Sequence, residues 1–455
     1  MMDIIIFSLP ILMFACLALF LFSGFPVAFV LGGTGFLFWI IAVLLGLQND
    51  NSFYLVVSRI FGAVVSKQVL VAIPMFIFMG TMLEKSGVAK DLLQTLQLMT
   101  RRLPGGLALS VTVLGVILAA TTGIIGASVV MMTLLALPVM LDRGYDHSLA
   151  TGTIAASGTL GILIPPSIML VVMAELLSTS AGTLFQAAVG PGLLLAVLYF
   201  LYIIITTRMN PELAPPLVSV KDGGEVLTTS MVLSSFLPPM ALIALVLGSI
   251  FAGWATPTEA SGIGAAGALV LALLRGRLSV TVVKEVAEKS TLTSAMLFGL
   301  FVGATAFSFV FALLGGHDLI VDAMGGAGAD PWTILIVLMV IIFLLGFFFD
   351  WIEITLIILP VFAPVIAALD FGGHLADPSM GVVWFAILMS VNLQTSFLTP
   401  PFGFALFYMK GAAPDGVTIE SIYKGIIPFV LLQLLAIIAI FYWPEIALWL
   451  PMQNG

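Results

Sequence analysis

From Ile4 to Leu448 the chain is a succession of apolar stretches, and most are as long as a helix must be to cross a lipid bilayer. Hydropathy places spans near 4–22, 26–47, 69–84, 182–205, 231–251, 256–274, 293–314 and 423–448. Apolar residues make up 61% of the 455 and charged ones only 8%, against about a quarter charged in soluble domains. The fold class that follows is an all-α polytopic membrane protein. A net charge of -8 leaves no basic surface for nucleic acid. The lone Cys16 excludes a disulfide framework, and three scattered histidines argue against a His-based metal centre. The first apolar run follows Met-Met-Asp with no basic residue and is long enough to span, so it reads as a retained span and not a cleaved leader.

Four apolar stretches do not read as simple spans. Those at 107–141 and 332–369 are interrupted by polar or glycine-containing segments, too short for two full crossings with a loop and too long for one. Each predicts a re-entrant helical hairpin. The stretches 148–177 and 382–411 carry Pro165-Pro166 and Pro400-Pro401, which remove backbone donors and stop regular helix, so each predicts a span broken in two.

Basic residues test the topology, because Lys and Arg collect in short cytoplasmic loops. With the N-terminus outside, 13 of the 15 fall inside, and only Arg59 and Lys67 fall outside. Both termini are then expected on the outer, periplasmic side of a bacterial inner membrane. Residues 1–205 and 231–455 run through one order of elements (span, span, span, hairpin, broken span, span), with 206–230 as a cytoplasmic linker. Each half crosses five times, an odd number, which predicts an inverted repeat. Local sequence agrees: Thr133–Met140 (TLLALPVM) matches Thr355–Phe362 (TLIILPVF), and Gly161–Ser167 (GILIPPS) corresponds to Ser396–Phe402 (SFLTPPF). The short amphipathic stretches 86–103 and 317–329 read either as solvated or interfacial segments or as arms that brace a moving domain.

Irregular backbone at membrane depth is tolerated only where protein buries it or where it lines a polar cavity. Two hairpin tips and two Pro-Pro breaks therefore predict one central site. Half-helix N-termini there suit an anion, and free carbonyls and hydroxyls suit a hard cation such as Na⁺. The first half supplies Thr121, Thr122, Gly123, Gly126 and Ser128 at the tip, with Ser157, Gly158 and Thr159 before the break. The second supplies Asp350, Glu353 and Thr355, with Asn392, Gln394, Thr395, Ser396 and Thr399. Each has a plainer reading: hydroxyls bond their own helix, the glycines allow close packing, and Asp350 and Glu353 sit solvated near a surface. Glu259, after Thr256-Pro257-Thr258, reads as a helix cap or local partner.

The run Gly144–Leu170 (GYDHSLATGTIAASGTLGILIPPSIML) and Ser396–Gly411 (SFLTPPFGFALFYMKG) resemble the large membrane subunit of tripartite ATP-independent periplasmic (TRAP) transporters. The resemblance covers nearly the whole chain. It implies a secondary transporter of elevator type in the ion-transporter superfamily, with a small four-helix membrane subunit and a periplasmic substrate-binding protein as partners. A mobile domain would carry a small organic anion with Na⁺ past a fixed scaffold in the lipid bilayer. The family's Na⁺ sites would fall on Gly123, Gly126, Ser128 and Ser157–Thr159, and on Asp350–Thr355 and Gln394–Thr399. The substrate would lie beside Ser128, Thr159, Pro166, Thr399 and Pro401. The first tip departs from the family's Ser-Gly-Ser-Ser form, reading Thr-Gly-Ile-Ile-Gly-Ala-Ser, and so offers fewer hydroxyls. Two other classes share some of these features. A stand-alone ion-coupled carboxylate symporter shares the repeat and hairpins. An intramembrane enzyme needs a nucleophile with its base or a metal motif, and the sequence has neither, nor a Walker A motif.

Overall fold

The computed structural model describes all residues except 1, 50, 123–124, 217–226, 317, 321–329, 401–402 and 455, and it describes no side chains at 2–7, 119–122 and 454. The predicted site residues Gly123 and Pro401 lie outside the described residues. So do most of the second amphipathic stretch and the centre of the 206–230 linker.

The chain is helical, and among the described residues ten helices are long and apolar enough to cross a membrane. Both stretches read as hairpins contain two helices each: Gly106–Thr122 with Ile125–Asp142, and Pro331–Leu345 with Trp351–Ala368. In each case the two helices pack on one another. The stretches read as broken spans are broken. His147–Thr159 tightens into a 3-10 turn at Leu160–Ile162 and gives way at the prolines before Ile168–Leu176. Gly381–Leu398 stops before the second Pro-Pro, and helix resumes at Phe404–Ala412. The helix starts carry their chemical signals. Asp146, Ser180, Thr256, Ser279, Asp330, Asp350 and Thr418 each accept a backbone N–H at a helix N-terminus, satisfying donors that the first turn leaves free.

Contacts between the halves are reciprocal. The second span of the first half, Val27–Leu44, packs on Val280–Leu313, and its counterpart Pro257–Leu274 packs on Ala72–Lys85. The second hairpin arm Ile125–Asp142 meets Phe404–Ala412, and its counterpart Trp351–Ala368 meets Ile168–Leu176. Likewise His147–Thr159 packs on the last span Ile419–Tyr442, and Gly381–Leu398 packs on the other last span, Ala181–Met209. Lipid gives no hydrophobic drive for helices to associate, so these crossings rely on close approach at small residues. A Cβ at Gly35 would sit 3.2 Å from the backbone of Ala306, and one at Gly303 would overlap the Ala28 carbonyl. Gly152 and Gly425 stand backbone to backbone where the first broken span meets the last span.

Three elements differ from the hydropathy reading, one being the last span, which ends at Tyr442 and is followed by a separate helix, Glu445–Asn454. The span expected at 293–314 is the end of one 34-residue helix, Val280–Leu313. Its first turns carry Lys284, Glu285, Glu288 and Lys289, which depress the hydropathy while leaving helix propensity high. Two of them tie it to the other half, in the pairs Lys85–Glu285 at 2.7 Å and Lys289–Glu84 at 3.1 Å. A further amphipathic helix, Ser52–Ile60, continues as a π turn through Val65 and is pinned by the Trp39 indole donating to Ser52 Oγ at 2.7 Å. The stretch 86–103 contains the helix Val88–Thr100. Its Asp91 receives Arg275 at 2.6 Å.

Candidate functional site at the helix breaks

The two broken spans meet at their interruptions. Gln394 donates from Nε2 to Thr159 Oγ1 at 3.4 Å, and both residues are fully buried. Gln394 Oε1 is buried and makes no hydrogen bond among the described residues, although the Tyr199 hydroxyl also interacts with the Gln394 side chain. An amide carbonyl left so at depth is costly unless a water or a cation meets it. Around this contact the hydroxyls of Thr159, Thr355, Thr395, Ser396 and Thr399 donate to their own helix, at 2.9, 2.6, 2.7, 2.8 and 2.8 Å. The plainer reading of these hydroxyls thus describes their protons. Their oxygen lone pairs remain available, and a hydroxyl whose proton is held by a carbonyl is well oriented to ligate a hard cation.

Each hairpin is fitted to a broken span by a glycine or a hydroxyl. In the first half Ser157 Oγ donates to Thr112 Oγ1 at 3.3 Å, and Gly115 leaves the space that Ser157 fills, since a Cβ there would lie 2.7 Å from Ser157 Cβ. Gly158 performs the same service for Val129, whose Cγ2 would stand 2.7 Å from an added Cβ. Ser128, 3% exposed, sits on the same arm. Gly126 lies under the ring of Tyr408, with an added Cβ at 3.0 Å, so the first tip touches the far half of the second break. In the second half Gly346, just before the tip, leaves room for Ser396 Oγ, and Asn392 Nδ2 donates to the Met339 carbonyl at 2.7 Å.

Asp350 and Glu353 are half-buried and form a capping box at the start of Trp351–Ala368. Asp350 Oδ1 accepts from Trp351 N at 2.8 Å, and Glu353 Oε2 accepts from Asp350 N at 3.2 Å. Both carboxylates therefore address the helix N-terminus, where negative charge is favoured. Thr355 lies one turn further in and is fully buried. Glu259 forms the same kind of box with Thr256, as its sequence context predicts. Pro166 and Ser167 are buried in the first break, and Ser167 Oγ donates to the Ile162 carbonyl at 2.5 Å, satisfying an acceptor that the interrupted helix leaves open.

The Gly-Tyr pair ahead of the first break has a structural basis. Gly144 takes φ +76, which only glycine adopts without strain, and this turns the chain from hairpin to broken span. Tyr145 is buried, and its hydroxyl accepts from Leu107 N at 3.1 Å, tying the end of the hairpin to its start. Burial raises its phenol above the ordinary value.

Sequence reasoning missed a second buried polar pair. Tyr199 and Gln433, one in the middle of each last span, are fully buried, and Gln433 Nε2 donates to Tyr199 Oη at 2.7 Å. Their signal was an isolated polar residue deep in each apolar run. Among the described residues no group of three or more His, Cys, Asp or Glu side chains could hold a metal ion.

Comparison with known proteins follows the same lines. The family profile described as the DctM component of tripartite ATP-independent periplasmic transporters matches residues 14–446. The chain is 31% identical to the C4-dicarboxylate TRAP transporter large permease protein DctM of Pseudomonas aeruginosa, over 85% of this chain and 87% of that one. It is 30% identical to the ectoine/5-hydroxyectoine TRAP transporter large permease protein UehC of Ruegeria pomeroyi, over 84% and 85%. It is also 30% identical to the isethionate TRAP transporter permease protein DctMQ of Oleidesulfovibrio alaskensis, over 96% of this chain and 65% of that one. The crystal structure of the Alcanivorax borkumensis YdaH transporter shares the fold, with a TM-score of 0.60 at 17% identity over 87% of this chain and 90% of that one.

Proposed function

The chain belongs to the DctM family of tripartite ATP-independent periplasmic transporters, a transporter permease and not an enzyme, and on that premise we propose that it imports a small organic anion by Na⁺ symport with an elevator movement. The observation that carries this reading is the contact of Gln394 with Thr159, which joins the two interrupted helices at a buried side-chain carbonyl that makes no hydrogen bond among the described residues. The reciprocal packing of the halves supports an inverted repeat, with both hairpins and both broken spans as the moving group.

In this account Na⁺ binds where each hairpin meets its broken span. One set of ligands comes from Gly123, Gly126, Ser128 and Ser157–Thr159, the other from Asp350–Thr355 and Gln394–Thr399. Binding orders the tips and completes a carboxylate site beside Ser128, Thr159, Pro166, Thr399 and Pro401, where helix N-termini offer N–H donors. With both solutes bound, the polar cavity is filled and the group moves. With Na⁺ alone, the empty cavity is costly to carry past lipid, and movement slows.

The substrate is a carboxylate such as a dicarboxylate, a 2-oxo acid or a sugar acid, or a related anion. The tripartite description and the fused isethionate relative support a small membrane subunit as partner, with a periplasmic binding protein delivering substrate at the bacterial inner membrane. The decisive assay is uptake into proteoliposomes that hold both membrane subunits, with the loaded binding protein outside. Uptake should collapse when the Na⁺ gradient is removed. Uptake indifferent to Na⁺ would reject the coupling, and full uptake without the binding protein would favour a stand-alone symporter.

A further inference from the structure

A cavity of about 410 Å³ opens beside Arg59, away from the helix breaks. Its volume is in the range of small-molecule sites. One wall comes from Ser52–Ile60 and from Val280–Leu313, which contribute Arg59, Thr305, Ser308 and Phe309. The lining also includes Leu176, the last residue of the helix Ile168–Leu176 in the first broken span, and Leu356 in the second hairpin. It therefore lies across the boundary between the elements assigned above to the scaffold and those assigned to the moving group.

Its polar groups are few and consistent in kind. The exposed Arg59 guanidinium lies 5.7 Å from the centre of the ring of Phe309, which also lines the cavity, and this contact does not neutralise its charge. Among the described residues no carboxylate pairs with Arg59. The neighbouring Lys67, by contrast, is paired with Glu175 at 2.7 Å. Ser308 lines the space on the same helix as Phe309, but its Oγ is buried and is not open to the cavity. Thr305, one turn earlier on the same helix, also lines the space. A guanidinium with no carboxylate on it among the described residues, the Thr305 hydroxyl and the apolar side chains of Leu176 and Leu356 are complementary to one acidic head on a short carbon skeleton.

We propose that this cavity is a vestibule that takes a small organic anion by its carboxylate or sulfonate, with Arg59 and Thr305 on the head group and Leu176 and Leu356 against the carbon chain, before the anion reaches the helix breaks. The inference rests on the transport reading above for the identity of the anion. Arg59 and Lys67 are the two cations that charge bias assigns to the outer face, and the pairing of Lys67 leaves Arg59 as the attractive one.

The test needs neither transport nor the binding protein. In a Cys16→Ala background, Thr305→Cys is reacted with an anionic methanethiosulfonate (2-sulfonatoethyl) and with a neutral one of similar size (2-hydroxyethyl), in nanodiscs. The ratio of anionic to neutral rate should fall about tenfold when Arg59→Gln is added. It should survive Arg59→Lys, and millimolar succinate or isethionate should slow the anionic reaction. An unchanged ratio in Arg59→Gln overturns the proposal. So does a ratio that ignores both acids but rises when anionic lipid is left out of the nanodisc, because the cavity then holds a lipid phosphate. Loss of Na⁺-coupled uptake with this labelling pattern intact would count against the transport reading alone.

Discussion

Gly158 tests the fit between the first hairpin and its broken span, because the space available to a side chain there is defined. A Cβ at this position would stand 2.7 Å from Val129 Cγ2 and 3.2 and 3.3 Å from Val129 Cα and N. Val129 is fully buried and β-branched, so its methyl cannot rotate away within a helix. Gly158→Ala therefore forces the arm outward, at a cost of about 1–3 kcal/mol for overpacking. Val129→Ala removes the clashing methyl and leaves a small cavity, with a loss of about 1–2 kcal/mol by itself. The double variant should be more stable than the sum of the two losses because the 2.7 Å clash is gone, with the coupling held to about 1 kcal/mol by the backbone contacts at 3.2 and 3.3 Å that persist. Thermal unfolding of the four proteins in one detergent measures the cycle. The same set in proteoliposomes should show a raised Na⁺ requirement for Gly158→Ala and partial recovery in the double variant. Strictly additive losses, or an unaltered Na⁺ requirement in Gly158→Ala, would refute the claim that this packing shapes an ion site.

Three further outcomes follow from the geometry. Ser128→Ala or Thr399→Ala should raise the Na⁺ concentration for half-maximal uptake several-fold, and unchanged sodium dependence in both would move the ligands elsewhere. Tyr199→Phe strips the acceptor from the buried Gln433 amide and should destabilise by about 1–3 kcal/mol. Adding Gln433→Leu should recover much of that loss in the same thermal assay. Gly346→Ala would place a methyl where Ser396 Oγ now lies, so it should impair uptake strongly, and Ser396→Ala in the same chain should partly restore it.

The elements were legible in the sequence where one signal sets them. Both breaks were readable from Pro165-Pro166 and Pro400-Pro401 with the polar residues ahead of them; a proline pair alone does not stop a helix, since Pro238-Pro239 lie inside the unbroken helix Thr229–Phe251. Glu259 after Thr256 was readable as a cap, and the structure forms that box; the matching box of Asp350 with Glu353 was not read from the sequence, where both stood as ion ligands or solvated carboxylates. Hydropathy failed at Val280–Leu313 because a helix that leaves the bilayer keeps its hydrogen bonds while its side chains become charged. At the site, the candidate hydroxyls and Gln394 were visible as polar residues in apolar runs. Their partners were not, because the contacts join residues far apart in the chain: Gln394 with Thr159, Gly126 with Tyr408, and Tyr199 with Gln433. Gly115 looked like any glycine in a membrane helix, and only the seat it provides for Ser157 marks it out.

The central claim is that hairpins and broken spans move as a group past the remaining helices. Lys67, between two scaffold elements, and Glu175, near the end of the first broken span, form a 2.7 Å ion pair across that boundary. In a Cys16→Ala background, Lys67→Cys with Glu175→Cys can be joined by a short thiol crosslinker and assayed for uptake beside each single-cysteine control. The account predicts that crosslinking abolishes uptake in the double variant only; a crosslinked protein that transports at the control rate would contradict it.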